Sequence, residues 1–410
     1  MSSSGSGEHA TRRRQQDRDI GRLAAHLAGA TVRLRRRLHA YPELAFSERR
    51  TATVVIRHCA TLGLQVRAGV GGTGVLADLD SGRPGPTVLI RADMDALPIQ
   101  EADDGRPYRS RVPGKMHACG HDGHVAAALG AATVLARLRP TWAGRIRLCF
   151  QPAEETDQGA AKMIAAGALD GVDYALGQHL AANLATAVIQ AGAGPQWAGS
   201  DELRVIVHGT GGHAADPPGP TDPLAAAAEL ILALESISAR HRGQIMTAKI
   251  TQLTAAAAPN VIATDVAMAG TLRALHNAER ELLLSQVNAA AQRISAGRGV
   301  RIEVRPGQHC PPALCDPVVS HAVRAALNDG TRVTAVTEGP PGAGSDDMAL
   351  YLREVPGCYF RVGAGGTDPS RAFPHHHPRF DLDEQALPIA TEALTRAALA
   401  LLAPAPLPKK

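Results

Sequence analysis

The first part of the chain shows a helical repeat of apolar residues. Leucines recur at helical spacing between Leu23 and Leu38, which predicts an amphipathic helix with its apolar stripe against a core. The arginines at 35–37 then fall largely on the solvent face of this helix. Residues 1–20 are polar and charged and continue no such stripe, so they are predicted to form a disordered tail.

Three short runs in the first half predict strands. Thr87–Ile90 is a continuous run, as expected of a strand covered on both faces of a largely parallel sheet, Arg145–Phe150 alternates, and Tyr174–Gly177 is a shorter candidate. Each run leads directly into side chains that can bind a ligand, namely Asp93 and Asp95, Glu154 and Glu155, and His179. Because ligands collect at the carboxyl ends of strands in open α/β sheets, this edge is predicted to carry a functional site.

The order of elements changes between residues 195 and 306. The patterns there predict, in chain order, a strand at 203–207, a helix at 222–239, strands at 245–253 and 261–272, a helix at 277–294 and a strand at 300–304. This β-α-β-β-α-β order is that of a split ferredoxin-like domain. The predicted fold class is therefore α/β: a mixed, mostly parallel sheet in a main domain (21–194 and 307–404), interrupted by a ferredoxin-like α+β insert (195–306).

The composition of the chain argues against several classes of function. The 410 residues carry a net charge of +4, and aromatic residues make up only 3%, too few for the base-stacking platforms of single-strand binders, so no nucleic-acid partner is expected. No apolar run approaches the roughly 18 residues of a membrane helix. The first residues lack the apolar segment of a secretory signal, so a cytoplasmic location is predicted, and the six cysteines are expected to be thiols.

One segment concentrates side chains that bind metals. Residues 117–124 contain three histidines, a cysteine and an aspartate. Further histidines stand at His179 and at 375–377, and the adjacent Glu154 and Glu155 follow a predicted strand. Thiolate, imidazole and carboxylate are the donors that zinc and neighbouring transition metals prefer. A single Cys-x-His pair is weak evidence, but together these segments predict a metal site.

Several motifs, in order and with compatible spacing, carry a resemblance to a known family. They are HAYPE (39–43), RADMDALP (91–98), KMHACGHDGH (115–124), FQPAEE (150–155), GHAADPP (212–218), PN (259–260), GTLRAL (270–275), GSDD (344–347) and HHPRFDLDE (376–384). The chain resembles the aminoacylase/carboxypeptidase-like M20 metallopeptidases. The match is best to their amidohydrolase branch of hippurate hydrolases, indole-acetyl-amino-acid hydrolases and N-acyl-amino-acid deacylases.

The resemblance implies two adjacent divalent metals per subunit, zinc or manganese, with cobalt or nickel as further candidates. The implied ligands are Cys119, which would lie between the metals, with His121, Glu155, His179 and His376. Residues 375–377 are all histidine, and the branch's H-x-P-x-F pattern selects His376. Asp93, Asp122 and His124 could belong to the site or cap the local backbone.

The resemblance also implies catalytic and substrate-binding roles. Glu154 would be the general base, and Asp95 would orient a metal-binding histidine. His213, supplied by the partner subunit of a homodimer, would stabilise the oxyanion. Asn260 and Arg273 would hold the substrate carboxylate. Gly-Ser-Asp-Asp-Met at 344–348 departs from the family's commoner Gly-Ser-Glu-Asp-Phe, so the resemblance does not predict the floor of the substrate pocket.

The expected function is metal-dependent hydrolysis of the amide bond of small N-acyl amino acids or analogues, which releases a carboxylic acid and an amino acid. The main domain would be catalytic and the insert would serve dimerisation as a lid. One alternative is a dipeptidase or carboxypeptidase with the same machinery. Another is a catalytically silent relative that binds metal, although the retained Glu154 argues against it.

Overall fold

The chain divides into two compact units. The computed structural model describes residues 4–215, 221–255, 258–366 and 373–403, with side chains from residue 15 onward. The first unit comprises Met1–Gln196, Leu314–Pro340 and Asp347–Lys410. The second unit comprises Trp197–Ala313 and Pro341–Asp346.

The secondary structure alternates helices and strands. The helices are α1 (Ser4–His39), α2 (Arg49–Thr61), α3 (His121–Arg137), α4 (Gly159–Ala165), α5 (Pro223–Arg240), α6 (Asn277–Arg298), α7 (Pro317–Asn328), α8 (Met348–Glu354) and α9 (Ala386–Leu401). The strands are β1 (Gln65–Val70), β2 (Gly74–Asp80), β3 (Thr87–Asp93), β4 (Arg145–Gln151), β5 (Tyr174–Ala181), β6 (Val188–Gln190), β7 (Gly194–Trp197), β8 (Gly199–His208), β9 (Gly212–His213), β10 (Met246–Ala255), β11 (Val261–Ile262), β12 (Asp265–Ala274), β13 (Arg301–Cys310), β14 (Ala313–Cys315), β15 (Ala335–Thr337) and β16 (Gly357–Gly363).

One mixed sheet forms the centre of the first unit. Its strands follow the order β1-β2-β4-β3-β5-β16-β6-β15. β3 pairs in parallel with both β4 and β5, and β5 pairs in parallel with β16. Every residue of β3 is buried. The carboxyl ends of β4, β3 and β5 therefore lie side by side, which confirms the sequence-based placement of these three strands.

Helix α3 packs closely between the sheet and two other helices. Most of its contacts are with α1, α9 and β3, and its residues from His121 to Leu135 are all buried. The helix is rich in alanine and glycine because the packing leaves little room: a Cβ at Gly130 would lie 2.6 Å from the Thr391 hydroxyl oxygen. This packing fixes the first turn of α3, where His121 lies.

The second unit has the predicted ferredoxin-like order. Its elements β8-α5-β10-β12-α6-β13 build an antiparallel sheet in the order β10-β12-β8-β13. The segment predicted as one strand at 261–272 is divided into β11 and β12. The predicted end of the insert at 306 is also too early, because β13 continues through Pro306 to Cys310. Proline lacks a backbone N–H, but β13 is an edge strand and tolerates it.

The amino-terminal region corrects two expectations. Helix α1 begins at Ser4, so the predicted disordered tail of 1–20 is wrong for the residues the structure describes. Ile20 is buried, and Arg396 of α9 donates to the carboxylate and carbonyl oxygens of Asp17 at 2.9 Å. Arg35 is completely buried rather than on the solvent face. Both errors have one cause: polar contacts between residues far apart in the chain bury these positions, and such contacts produce no periodic pattern of hydrophobic residues in the sequence.

Two further expectations concern membranes and cysteines. Among the helices of the described part of the chain, none is long and apolar enough to cross a membrane. All six cysteines are free thiols, and five of them are buried. The remaining one, Cys119, is only partly buried.

Candidate metal centre

The structure brings the five predicted metal ligands together at the carboxyl edge of the first unit's sheet. Their donor atoms, together with those of Glu154, fall into overlapping groups, and within each group the atoms lie within 4.8 Å of one another. The groups are Cys119, His121 and His179; Cys119, Glu155 and His376; and His121, Glu154 and Glu155. These residues come from four separate segments of the chain. The segments meet because β4, β3 and β5 are adjacent and because α3 begins directly beside them.

Two tight turns place the ligands. Gly120, between Cys119 and His121, adopts a φ of 93° and caps the amino end of α3, a left-handed conformation that suits glycine. Ala153, directly before the paired glutamates, is also left-handed, with a φ of 54°. Its amide donates to the buried carboxylate of Glu48 at 2.9 Å, which stabilises an otherwise unfavourable turn.

Asp95 holds three parts of the centre in place. Its carboxylate oxygens accept hydrogen bonds from the amides of Glu154 and Glu155 at 3.0 and 3.1 Å. Its backbone carbonyl accepts a hydrogen bond from Nδ1 of His121 at 2.9 Å. This contact fixes the tautomer, so Nε2 of His121 is the nitrogen available to a metal.

The surroundings of His121 favour a cation. Nε2 of His121 has no hydrogen-bond partner among the described residues, but carboxylate oxygens of Asp93, Glu154 and Glu155 lie 3.7, 3.8 and 3.8 Å away. Burial alone would lower the pKa of His121, yet Asp93, Asp95 and Glu155 outweigh it and raise the pKa to about 10. A buried nitrogen among carboxylates is an arrangement that a divalent metal would satisfy.

His179 faces the other side of the same cluster. Its Nδ1 donates to the carbonyl of Leu180 at 3.0 Å, and its Nε2 lies 3.6 Å from Sγ of Cys119. Burial, with the nearby His124 and His375 rings, lowers the pKa of His179 well below its usual value. The imidazole is therefore neutral, as a metal ligand must be.

The three consecutive histidines differ in environment. Nε2 of His376 lies 3.4 Å from the Glu155 carboxylate. The His375 ring is buried, and burial lowers its pKa to about 3; its Nε2 accepts a hydrogen bond from the amide of Ala182 at 3.3 Å. The half-buried His377 stacks on Phe373 at 4.8 Å, and its Nδ1 accepts a hydrogen bond from the amide of Arg379 at 3.0 Å. The geometry thus agrees with the motif, which selected His376.

His124 and Asp93 support the site rather than complete it. Nδ1 of His124 donates to Asp93 at 2.6 Å, and Nε2 accepts a hydrogen bond from the amide of Leu180 at 2.9 Å. Both ring nitrogens are engaged, so His124 is not needed as a ligand. Asp93 also pairs with the buried Arg91 at 2.6 Å, and Arg91 pairs with Asp347 at 2.8 Å.

Sequence reasoning missed several of these supporting residues. Arg91 and Asp347 lie inside two of the motifs that resemble the M20 family, but nothing in their spacing shows that they form an ion pair. Glu48 lies outside every quoted motif. A buried acid that accepts from the backbone of a distant turn leaves no local signal in the sequence.

The substrate-binding predictions fall in the second unit. His213 lies exposed on β9, where it pairs with Val261 of β11. Asn260 is exposed directly before β11, and its carbonyl accepts a hydrogen bond from the amide of Ala214 at 3.0 Å. Arg273 of β12 donates to the Ser345 hydroxyl at 2.8 Å. The structure therefore brings His213 and Asn260 to one short ribbon, although part of the 212–218 motif lies outside the described residues.

The comparison with known proteins decides the family. The sequence profile of peptidase family M20/M25/M40 matches residues 89–400. The chain belongs to this family. As a member it is an enzyme, a metal-dependent amidohydrolase, and the resemblance stated from the motifs is confirmed.

Two relatives and one solved structure show how far the similarity extends. The chain is 36% identical over 373 residues to the N-acetyl-L-cysteine deacetylase of Bacillus subtilis, which covers 90% of this chain and 88% of that protein. It is 35% identical over 376 residues to thermostable carboxypeptidase 1 of Saccharolobus solfataricus, covering 90% and 94%. The YXEP protein of Bacillus subtilis, described as a dinuclear metal-binding M20 peptidase, matches with a TM-score of 0.80 and 32% identity over 92% of this chain and 99% of that chain.

Proposed function

We propose that the protein hydrolyses the amide bond of small N-acyl amino acids and releases a carboxylic acid and an amino acid. Two divalent ions, zinc or manganese, with cobalt or nickel as substitutes, would be held by Cys119, His121, Glu155, His179 and His376. Bound there, they would act as Lewis acids that polarise the amide carbonyl and lower the pKa of water.

The different environments of the two glutamates carry this proposal. Asp95 holds both backbone amides. Both carboxylates lie 3.8 Å from Nε2 of His121, but the Glu155 carboxylate also lies 3.4 Å from Nε2 of His376 and shares a donor group with Cys119. Glu154 is 7% exposed, so its carboxylate is shielded but accessible. We assign Glu155 to metal binding and Glu154 to proton transfer.

Glu154 would act twice in the reaction. It takes a proton from the attacking water as the oxygen bonds to the carbonyl carbon, and it gives that proton to the nitrogen as the C–N bond breaks. His213 from the other subunit of a homodimer would donate a hydrogen bond to the developing oxyanion. Asn260 and the planar guanidinium of Arg273 would bind the substrate's α-carboxylate. The proposed location is the cytoplasm.

A second candidate function is peptide hydrolysis with the same machinery. The similarity to thermostable carboxypeptidase 1 favours it, whereas the similarity to N-acetyl-L-cysteine deacetylase favours the first. The two reactions share every proposed step and differ only in whether the acyl group, on the carbonyl side of the scissile amide, carries a free α-amine.

A substrate panel on metal-reconstituted protein tests the proposal. N-acetyl and N-benzoyl amino acids should give kcat/KM values at least tenfold above those of dipeptides with the same carboxyl-terminal residue, a difference of about 1.4 kcal/mol in transition-state binding. The Glu154→Gln variant serves as the blank. A preference for dipeptides would establish the second candidate, and no turnover by metal-loaded protein on either class would reject both.

A further inference from the structure

Arg35 of α1 is a buried cation that the proposed reaction leaves without a role. Its side chain is 0% exposed. Its Nε donates to Oδ2 of Asp122 at 2.7 Å, and its Nη2 donates to Oδ1 of Asp381 at 2.9 Å. One guanidinium therefore joins two carboxylates that are far apart in the sequence.

Both carboxylates adjoin segments that carry proposed metal ligands. Asp122 directly follows His121 in the first turn of α3. Asp381 lies on the short segment after His376, where the completely buried Phe380 donates its amide to the carbonyl of His377 at 2.9 Å. Neither segment can shift relative to the other without stretching an ion pair to Arg35.

Further contacts hold the two acids in position. The Tyr108 hydroxyl donates to Asp381 at 2.6 Å, and Nδ1 of His39 lies 2.8 Å from Asp122. The side chains of Asp122 and His39 are completely buried. Removing one partner of a buried ion pair is costly because it leaves an uncompensated charge, so this arrangement resists local rearrangement.

We propose that Arg35 is a positioning residue of the metal centre, which sets the placement of His121 relative to His376 through Asp122 and Asp381. The inference rests on the ligand set given in the proposed function. Lysine could not replace arginine here, because a single ammonium group cannot reproduce two donors held at a fixed spacing in one plane.

Arg396 offers a matched control. It is also a buried arginine, 3% exposed, and donates to Glu392 and Asp17 at 2.9 Å. These hydrogen bonds join α9 to α1 and reach neither segment that carries a proposed ligand. Arg396→Lys therefore removes a comparable buried guanidinium while leaving the segments of His121 and His376 in place.

The test titrates Mn²⁺ into metal-free protein by calorimetry, with the melting temperature of each metal-free variant measured in parallel. Loss of a supporting contact behind a ligand typically weakens metal binding by about 10–100-fold. Arg35→Lys should raise the Mn²⁺ Kd about tenfold, and kcat at saturating metal should recover to within about threefold of wild type. Arg396→Lys should lower the melting temperature and leave Kd within about twofold. A Kd for Arg35→Lys within twofold of wild type would overturn the inference.

Two more variants keep the result unambiguous. If Arg35→Lys does not fold, Asp381→Asn is the deciding variant, because it removes the charge on the His376 side while keeping the shape of the side chain. A rise in the Mn²⁺ Kd of at least about threefold supports the inference, and an unchanged Kd overturns it. Cys119→Ala tests the ligand set itself. If Cys119→Ala weakens binding and Arg35→Lys does not, only the Arg35 inference fails, whereas unchanged binding in Cys119→Ala means that the ligand set is wrong.

Discussion

The metal centre of the first unit and the His213 ribbon of the second unit are built in opposite ways. His121, Glu154 and His179 are 1%, 7% and 6% exposed, and hydrogen bonds from distant segments hold the turns that carry them. His213 and Asn260 are exposed, and the short β9–β11 ribbon is held by backbone pairing. A metal needs its donors fixed before it binds, whereas a residue that contacts a substrate must stay accessible.

This contrast predicts that substitutions in the two regions affect different measured properties. Changes at the proposed ligands of the first unit should reduce metal content, and changes on the ribbon of the second unit should reduce turnover while metal remains. Glu154 is the exception within the first unit, because it is proposed to move protons rather than to bind metal.

The largest effect is expected for Glu154→Gln. The substitution is nearly isosteric and removes the proton acceptor, so kcat should fall on the order of a thousandfold or more. Metal content by elemental analysis should match wild type. Retention of more than about a tenth of kcat would remove Glu154 from the mechanism.

His213→Ala should lower kcat by roughly a hundredfold or more, the usual loss when an oxyanion donor is removed, with metal content unchanged. If the donor acts across a dimer, co-expressed His213→Ala and Glu154→Gln chains should complement each other. With random mixing about half of the dimers are mixed, and each holds one intact site, so roughly a quarter of wild-type activity should return. Isolated mixed dimers that stay as inactive as the parents would show that His213 does not act in trans.

Cys119→Ala should change metal content and activity together. The thiolate would lie in two of the overlapping donor groups, so its loss should remove at least about half of the bound metal. Cys59→Ala is the control, because Cys59 is a buried thiol of α2 whose pKa burial raises to about 12. Full metal occupancy in Cys119→Ala would contradict the assignment of a shared ligand.

The sequence predicted which metal-binding side chains the structure brings together better than it predicted what supports them. Cys119, His121 and Glu155 could be named because strand ends and motifs are local features. Arg35 could not, because its partner Asp122 lies 87 positions away and Asp381 lies 346 positions away, and a charged residue in a helical pattern is ordinarily read as solvent-facing. The length of β13 was missed for a related reason: whether Pro306 ends a strand depends on whether that strand is an edge.

The histidines at 375–377 allow a finer test of the centre. His376→Ala should raise the Mn²⁺ Kd by about tenfold or more, as expected for a lost ligand or its support. His377→Ala should leave Kd unchanged, because its ring stacks on Phe373, its Nδ1 accepts a hydrogen bond from the amide of Arg379 at 3.0 Å, and it belongs to none of the donor groups found among the described residues. His375→Phe keeps a ring at this position, and its effect on the Mn²⁺ Kd should lie between those of His376→Ala and His377→Ala. Equal Kd values for His376→Ala and His377→Ala would overturn the assignment of His376.

The smallest effect concerns acid stability away from both regions. His58 of α2 lies against α3, where its Nε2 is 3.0 Å from the Thr133 hydroxyl, and burial lowers its pKa. As pH falls below the ordinary histidine value of about 6.5, the unfolded chain takes up a proton that the folded protein resists, so the free energy of unfolding decreases. This contribution is fully present above that pH and is lost as pH falls through the lowered pKa. The free energy of unfolding of His58→Gln should therefore fall less than that of wild type between about pH 7.5 and 5.5, as measured by urea titration of metal-free protein. His26→Gln, at an exposed position of α1, controls for the removal of a histidine. Parallel curves for wild type and His58→Gln would show that burial of this ring does not contribute to the acid sensitivity of the fold.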